Sequence, residues 1–266
     1  MKKLKNNIFL IISGAFLLIA LSFGLYPSVS NFVNQKLAQS TIKEYSEKVD
    51  TLDQASKDEY IKEAQDYNND LASQAESLTF ENMQGTDDYN RILSFDDSII
   101  GYIEIPAIGV NLPIYHGTKE GALEKGAIHV PNSAFPIGGI GNHSVLAAHT
   151  AYANQIFFDY IPNLVIGDEI HIKILGDTYT YKVIKTDIIL PTDLTPLQPN
   201  RNKDLITLMT CYPYAQNTHR YIVTAERVNP VTTAKETTIA VEHHQNPSEA
   251  STSEDEDSSY HTVALI

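Results

Sequence analysis

The hydrophobic period of this chain changes once, at Ile99. Upstream, apolar residues recur every three or four positions: Phe32, Val33 and Leu37, then Ile42, Tyr45 and Val49, and again Ile61, Ala64, Tyr67, Leu71, Ala75 and Leu78. That spacing marks one face of a helix. Ser56-Lys57-Asp58-Glu59 reads as a capping box, in which hydroxyl and carboxylate each answer an orphan amide. Residues 28–78 are therefore expected to form a helical hairpin that serves as spacer and packing partner for the domain after it. From Ile99 the apolar residues alternate, as in strands with one buried face. Candidate strands are 99–105, 111–115, 127–130, 143–149, 168–175, 178–190, 205–211 and 219–228, short and broken by Pro, Gly and Asn. The fold class is thus mostly β, a barrel or a sandwich, and alternation alone does not choose between them. Only Gly121–Glu124 and Ile156–Tyr160 read as helical among the strands.

The amino-terminal segment bears on compartment. Lys2, Lys3 and Lys5 precede an uncharged apolar run from Ile8 to Tyr26. At 1.5 Å per residue this run measures about 28 Å, enough to cross a bilayer core. A cleaved signal peptide has the same charged start, but a shorter apolar core and a small-x-small cleavage site. Phe23-Gly24-Leu25-Tyr26-Pro27 offers none. The expectation is an uncleaved anchor over residues 1–27, its start held in the cytoplasm by positive charge and the remainder outside. That makes a single-pass cell-membrane protein with an extracellular domain.

The chain has 266 residues, 42% of them hydrophobic, enough for a sizeable core, and a net charge of −14 that would be repelled by nucleic acid. Much of that charge is local. Glu236, Glu242, Glu249, Glu254, Asp255, Glu256 and Asp257 lie in a stretch without lysine or arginine. From Asn229 the apolar pattern stops, so residues 230–266 are expected to be a disordered acidic tail. The domain reading is 1–27 anchor, 28–98 hairpin and lid-like linker, 99–229 β-domain and 230–266 tail. No phosphate-binding glycine loop or metal-spaced Cys/His cluster occurs, and no cofactor is expected.

The chain has a single cysteine, Cys211, at the end of an alternating strand and just before Tyr212-Pro213-Tyr214. An exported protein with one thiol forms no internal disulfide. Such a thiol is either a packed small hydrophobe or a reactive group, and strand ends beside loops are where reactive groups are usually presented. Arg220 opens the next strand; on its own it reads equally as a surface ion-pair partner. Peptide cleavage with acyl transfer needs a nucleophile, a proton carrier and charge stabilisation for a tetrahedral oxyanion. Cys211 suits the first, an imidazole the second and Arg220, with its fixed N–H fork, the third. Of nine histidines, His149 is favoured because it ends the apolar strand Val145–Ala148 beside a loop. His143 begins that strand, about 20 Å away. His219 adjoins Arg220 but faces the opposite way if extended. Position alone leaves these open.

Ile206-Thr207-Leu208-Met209-Thr210-Cys211 with Asn217-Thr218-His219-Arg220 after it resembles the signature of sortases, membrane-anchored cysteine transpeptidases of Gram-positive bacteria. Gly101–Pro106, Leu112–Thr118 and Asn142-His143-Ser144-Val145-Leu146-Ala147-Ala148-His149 look like the class C, pilus-polymerising branch. The likeness covers residues 99–229. It implies an eight-stranded barrel, with Cys211 as nucleophile, His149 as proton carrier and Arg220 as oxyanion partner. It also implies cleavage of a Leu-Pro-x-Thr-Gly-like sorting signal through a thioacyl-enzyme, resolved by a pilin lysine. The neighbouring possibilities are a sortase that attaches surface proteins to peptidoglycan precursor, and a non-catalytic tethered β-domain that assists pilus assembly. Ile114, Leu146 and Ile189 are candidates to line the Leu-Pro part of the signal, against a plain core role. Two departures from class C stand out. The Asp-Pro-aromatic lid triplet is missing from Leu78–Tyr89, so that segment is expected to be mobile, with Phe80, Met83 and Tyr89 as irregular anchors. An acidic tail stands where a second membrane helix is usual.

Overall fold

A computed structural model describes residues 2–74, 78–79, 83, 85–94, 99–152 and 155–228. The expected acidic tail and Phe80 lie outside these residues. Helix α1 (Lys2–Thr51) runs through Pro27 without a break, and α2 (Gln54–Gln74) begins after a two-residue turn. The apolar run and the first arm of the expected hairpin are thus one helix. Proline removes one helical hydrogen bond but is tolerated in membrane-crossing helices more often than in soluble ones. α1 holds the one described segment long and apolar enough to cross a membrane. The expected capping box is displaced: Asp53 caps α2, accepting from Ser56 N at 2.8 Å, so Ser56 lies inside the helix.

All eight expected strands form: β1 (Ile99–Ile105), β2 (Val110–His116), β3 (Ala127–His129), β4 (His143–Ala147), β5 (Glu169–Ile174), β6 (Asp177–Ile189), β7 (Leu205–Tyr212) and β8 (His219–Arg227). They close in the order β1-β2-β3-β4-β7-β8-β6-β5, so this is a barrel and not a sandwich. β2–β3 and β4–β7 are parallel and the other pairs antiparallel. Closure leaves no strand edge unpaired. Of the two expected short helices, Ala122–Glu124 is a 3-10 turn, whereas 156–160 is not helical and the turn falls at Ile161–Asn163.

Alternation sorts side chains between the interior and the outer wall. Ile103, Ile114, Leu146, Ile172, Leu208 and Val223 are buried in the principal core. Ile114 and Leu146 are therefore core residues, unavailable to line a substrate groove. On the outer wall of β4, β7, β8 and β6 a second apolar cluster joins Val145, Ile189 and Ile222 to Ala147 and Met209. Leu194 and Leu197 of the β6–β7 connection pack on it, as do Leu78 and Met83 from before the barrel.

The pre-barrel segment is anchored more firmly than its composition suggests. Helix α3 (Asp87–Arg91) is capped by Thr86, whose hydroxyl accepts from Tyr89 N at 3.1 Å. Tyr89 is 1% exposed, and its Oη lies 3.0 Å from His129 Nδ1 and 2.8 Å from the His129 carbonyl oxygen. Phe135 stacks on both rings. Leu78 is held by Gln198, whose Oε1 accepts from Leu78 N at 2.9 Å and whose Nε2 donates to Leu78 O at 3.1 Å. A segment expected to be loose is thus pinned at both described ends by partners remote in sequence.

Candidate active site

Three neighbouring strands bring the three candidate residues into one row. Cys211, near the end of β7, pairs directly with Arg220 at the start of β8. Paired residues share a face, so thiol and guanidinium both stand on the outer wall. On the other side, β4 runs parallel to β7 with Ala147 opposite Met209. Ala148 N continues the ladder by donating to Met209 O at 3.2 Å. Two residues past the Ala147–Met209 pair come His149 on one side and Cys211 on the other, with His149 in the connection just beyond the last residue of β4. The order across the wall is therefore imidazole, thiol, guanidinium.

Each position has identifiable supports. Thr210, buried beside Cys211 in sequence, donates its hydroxyl to Ala148 O at 2.8 Å and lies 2.7 Å from Thr150 Oγ1. It thus ties both neighbours of His149 to β7. The His149 ring lies flat on Tyr152, with centroids 4.8 Å apart and planes 6° from parallel. Phe158 N donates to His149 O at 3.1 Å. The loop is gathered by Asp159, whose carboxylate accepts from Ala151 N and Phe157 N, each at 3.0 Å. Arg220 Nη1 donates to Asn217 O at 3.2 Å and His219 O at 2.9 Å. Among the described residues no carboxylate pairs with it, so the ion-pair reading of Arg220 has no support. Cys211 is partly exposed, unlike the fully buried thiol of the packing alternative.

The other histidines are occupied elsewhere. His143 is buried, with Nδ1 2.8 Å from Gln198 O and Nε2 2.7 Å from Thr207 Oγ1. Burial holds its pKa below the usual histidine value. His219 lies opposite Tyr212, one step from the Cys211–Arg220 pair, and its Nδ1 is 2.9 Å from Thr218 Oγ1. Ile189 pairs with Arg220 across β6–β8 and belongs to the outer-wall cluster below the row. It alone of the three proposed lining residues faces the site. Thr150, Tyr152, Asp159 and Thr210 carry the support and were not singled out in the sequence. Only Thr210, a polar residue at an inward position of an apolar strand, left a readable trace. No group of His, Cys, Asp and Glu among the described residues could hold a metal ion.

The closed barrel and this row define a β-barrel protein built around one thiol. A family model described as the sortase domain matches residues 103–228. Among solved structures, sortase C1 from Streptococcus agalactiae superposes with a TM-score of 0.66 at 36% identity, covering 71% of this chain and 98% of that one. Sortase C from Clostridium perfringens, solved with the C-terminal cell wall sorting motif, gives 0.63 at 38% identity, covering 72% and 100%. Curated relatives include sortase D of Bacillus subtilis, 31% identical over 48% of this chain and 63% of the relative. Sortase A of Bacillus anthracis is 32% identical over 49% and 60%. The chain thus spans about 60% of the length of those two relatives. This chain belongs to the sortase family, and its structural neighbours include sortases of class C.

Proposed function

We propose that this protein is a membrane-tethered transpeptidase that cleaves a sorting signal at Cys211 and passes the acyl group to an amine, a pilin lysine in the class C manner. The observation that carries the reading is the direct pairing of Cys211 with Arg220 across β7–β8, with His149 two residues past the Ala147–Met209 pair that joins β4 to β7. The thiolate sulfur attacks the carbonyl carbon on the amino side of the scissile bond. The oxyanion so formed is held by the Arg220 N–H groups that the loop carbonyls leave unused. As the C–N bond breaks, protonated His149 gives its proton to the departing amine. A thioester on Cys211 remains. An incoming amine attacks that carbonyl, loses its proton to His149, and the C–S bond breaks to return the thiolate.

The outer-wall cluster supports a signal with apolar residues. Ala147 and Met209, partly exposed on the face that bears the thiol and backed by the buried Ile189 and Ile222, supply apolar surface there. Membership of the sortase family and the apolar amino-terminal helix support a single-pass membrane protein with the barrel outside. The likeness to the Clostridium perfringens sortase C structure with the C-terminal cell wall sorting motif supports a substrate of that class here. The accepting amine on a pilin, rather than on peptidoglycan precursor, is favoured by the likeness to class C structures.

The test is cleavage of a fluorescently quenched Leu-Pro-x-Thr-Gly peptide by the full chain in detergent. Cys211→Ala is expected to abolish fragment release, because no other side chain can form a thioester. Appreciable turnover by that variant would refute the reading.

A further inference from the structure

Between the stretch of α1 just beyond the apolar run and the barrel lies a groove of about 740 Å³. Its α1 wall carries Asn31, Asn34, Gln35 and Gln39, and the facing wall carries Asn111 of β2 and Gln155. The floor is apolar, with Ala38, Val110, Leu112 and Phe157. Six carboxamides over an apolar floor are suited to one chemistry in particular. Each offers a carbonyl acceptor and an N–H donor, the same alternation that an extended polypeptide backbone presents. The charged lining residues, Glu44, Lys119, Glu120, Glu124 and Lys125, are of both signs, which disfavours a strongly ionic ligand such as a lipid phosphate. On the α1 wall, Asn31 Oδ1 is buried and has no donor among the described residues.

Position narrows the occupant further. Asn31 lies five residues past Tyr26, so this end of the groove is about 8 Å along the helix from the apolar run. Phe157, also in the lining, has its ring centroid 6.0 Å from that of Tyr152, the ring stacked on His149. In strand order the groove lies on the β2 side of His149, whereas Cys211 and Arg220 lie on the other. The imidazole therefore stands between the thiol and the groove, where a proton carrier for an arriving amine belongs.

We propose that this groove seats the accepting substrate, an extended polypeptide segment whose lysine amine is delivered past Tyr152 to His149. This rests on the transpeptidase function proposed for the thiol row. The bonds made and broken are those of the second half-reaction: C–N forms, C–S breaks, the amine proton goes to His149 and the thiolate returns to Cys211.

The test uses the full chain in nanodiscs and a labelled sorting peptide, with release of the carboxy-terminal fragment and transfer to two acceptors measured in parallel. One acceptor is a synthetic peptide of alternating valine and threonine with a single lysine; the other is acetyl-lysine amide, too short to occupy the groove. The double variant Gln35→Ala/Asn111→Ala alters two exposed side chains on opposite walls. It is expected to raise the peptide concentration for half-maximal transfer about tenfold, the loss of two or so hydrogen bonds. Fragment release and transfer to acetyl-lysine amide should stay unchanged. Gln35→Trp, which fills the groove, should act in the same direction. Equal peptide transfer by wild type and both variants, or an equal loss with the small amine, would overturn the groove assignment while leaving the transpeptidase intact. So would selective loss of transfer to a disaccharide-peptide wall fragment with the lysine peptide unaffected, which would make the groove a glycan site. Absence of fragment release from wild type would instead refute the underlying reading, and this inference with it.

Discussion

Arg220 is oriented by backbone alone. Nη1 spends its protons on Asn217 O and His219 O, while Nε and Nη2 have no protein acceptor among the described residues. A guanidinium fixed on one side and free on the other is preorganised to meet an oxyanion. Arg220→Ala is expected to lower turnover about 10²–10³-fold, the usual loss for one oxyanion donor. Arg220→Lys should recover little, since an ammonium cannot reach the two loop carbonyls and the substrate together. The measurement is steady-state cleavage of the quenched peptide. A second residue-scale prediction concerns His129, buried between Tyr89 and Phe135 with Nε2 2.9 Å from Ala134 O. Burial pushes its pKa down from 6.5 to about 3. Between these values the unfolded chain binds a proton that the folded chain refuses, so stability rises with pH there. The contribution is complete above pH 6.5 and is lost as pH falls toward 3, at up to about 1.4 kcal/mol per pH unit. His143, shifted in the same direction by burial, adds with the same sign. His129→Asn keeps one donor and one acceptor but cannot titrate. Its urea midpoint should vary less between pH 6.5 and pH 4 than that of wild type, and an unaltered slope would count against this assignment.

At the scale of elements, the pre-barrel segment and the β6–β7 connection act as one cover over the outer wall. Gln198 joins them: besides Leu78 it donates to Leu194 O at 3.0 Å, and its own carbonyl meets His143. Leu78 and Met83 sit on the same apolar floor as Ala147 and Met209, next to the thiol strand. Gln198→Ala leaves Leu78 N and O without their partner, which should cost about 1–2 kcal/mol locally. Cys211 should then react several-fold faster with a small alkylating reagent under native conditions. An unchanged alkylation rate would mean that Leu78 does not limit access. This cover was illegible in the sequence because a Gln198–Leu78 clasp spans 120 positions and leaves no periodic trace, as does the seat of Tyr89 against His129. The strands were legible for the opposite reason. Alternation along β5 or β7 is local, and ends such as Glu169 for the expected 168 differ only where the ladder frays. For the candidate row, the sequence supplied residue types at strand ends, whereas the pairing of Cys211 with Arg220 needed the register.

At the scale of the whole molecule, α1 is tied to the barrel more tightly than a plain spacer would be. Its upper half carries Tyr45 and Val49 into the principal core. The Tyr45 hydroxyl donates to Ile100 O at 3.0 Å and accepts from Leu175 N at the same distance, bridging β1 to the turn after β5. Tyr45 also meets Tyr102 edge-on, with centroids 6.3 Å apart. The residues from Ile8 to Tyr26, by contrast, bury nothing against the protein. One continuous helix therefore has two parts: an apolar stretch that packs on nothing in the protein and a stretch packed against the barrel wall. Truncation should respect that division. A chain starting at Ser28 should melt within a few degrees of the full chain in detergent, since no barrel contact is lost. A chain starting at Asp53 loses Tyr45 and Val49 and strands Ile100 O and Leu175 N, a deficit of several kcal/mol that should lower the melting temperature by about 10 °C or more. Tyr45→Phe in the Ser28 form isolates the hydroxyl and should cost about 1–3 kcal/mol by urea unfolding. If the Asp53 form melted with the Ser28 form, α1 would be a tether only, and the groove it shares with β2 would lack one fixed wall.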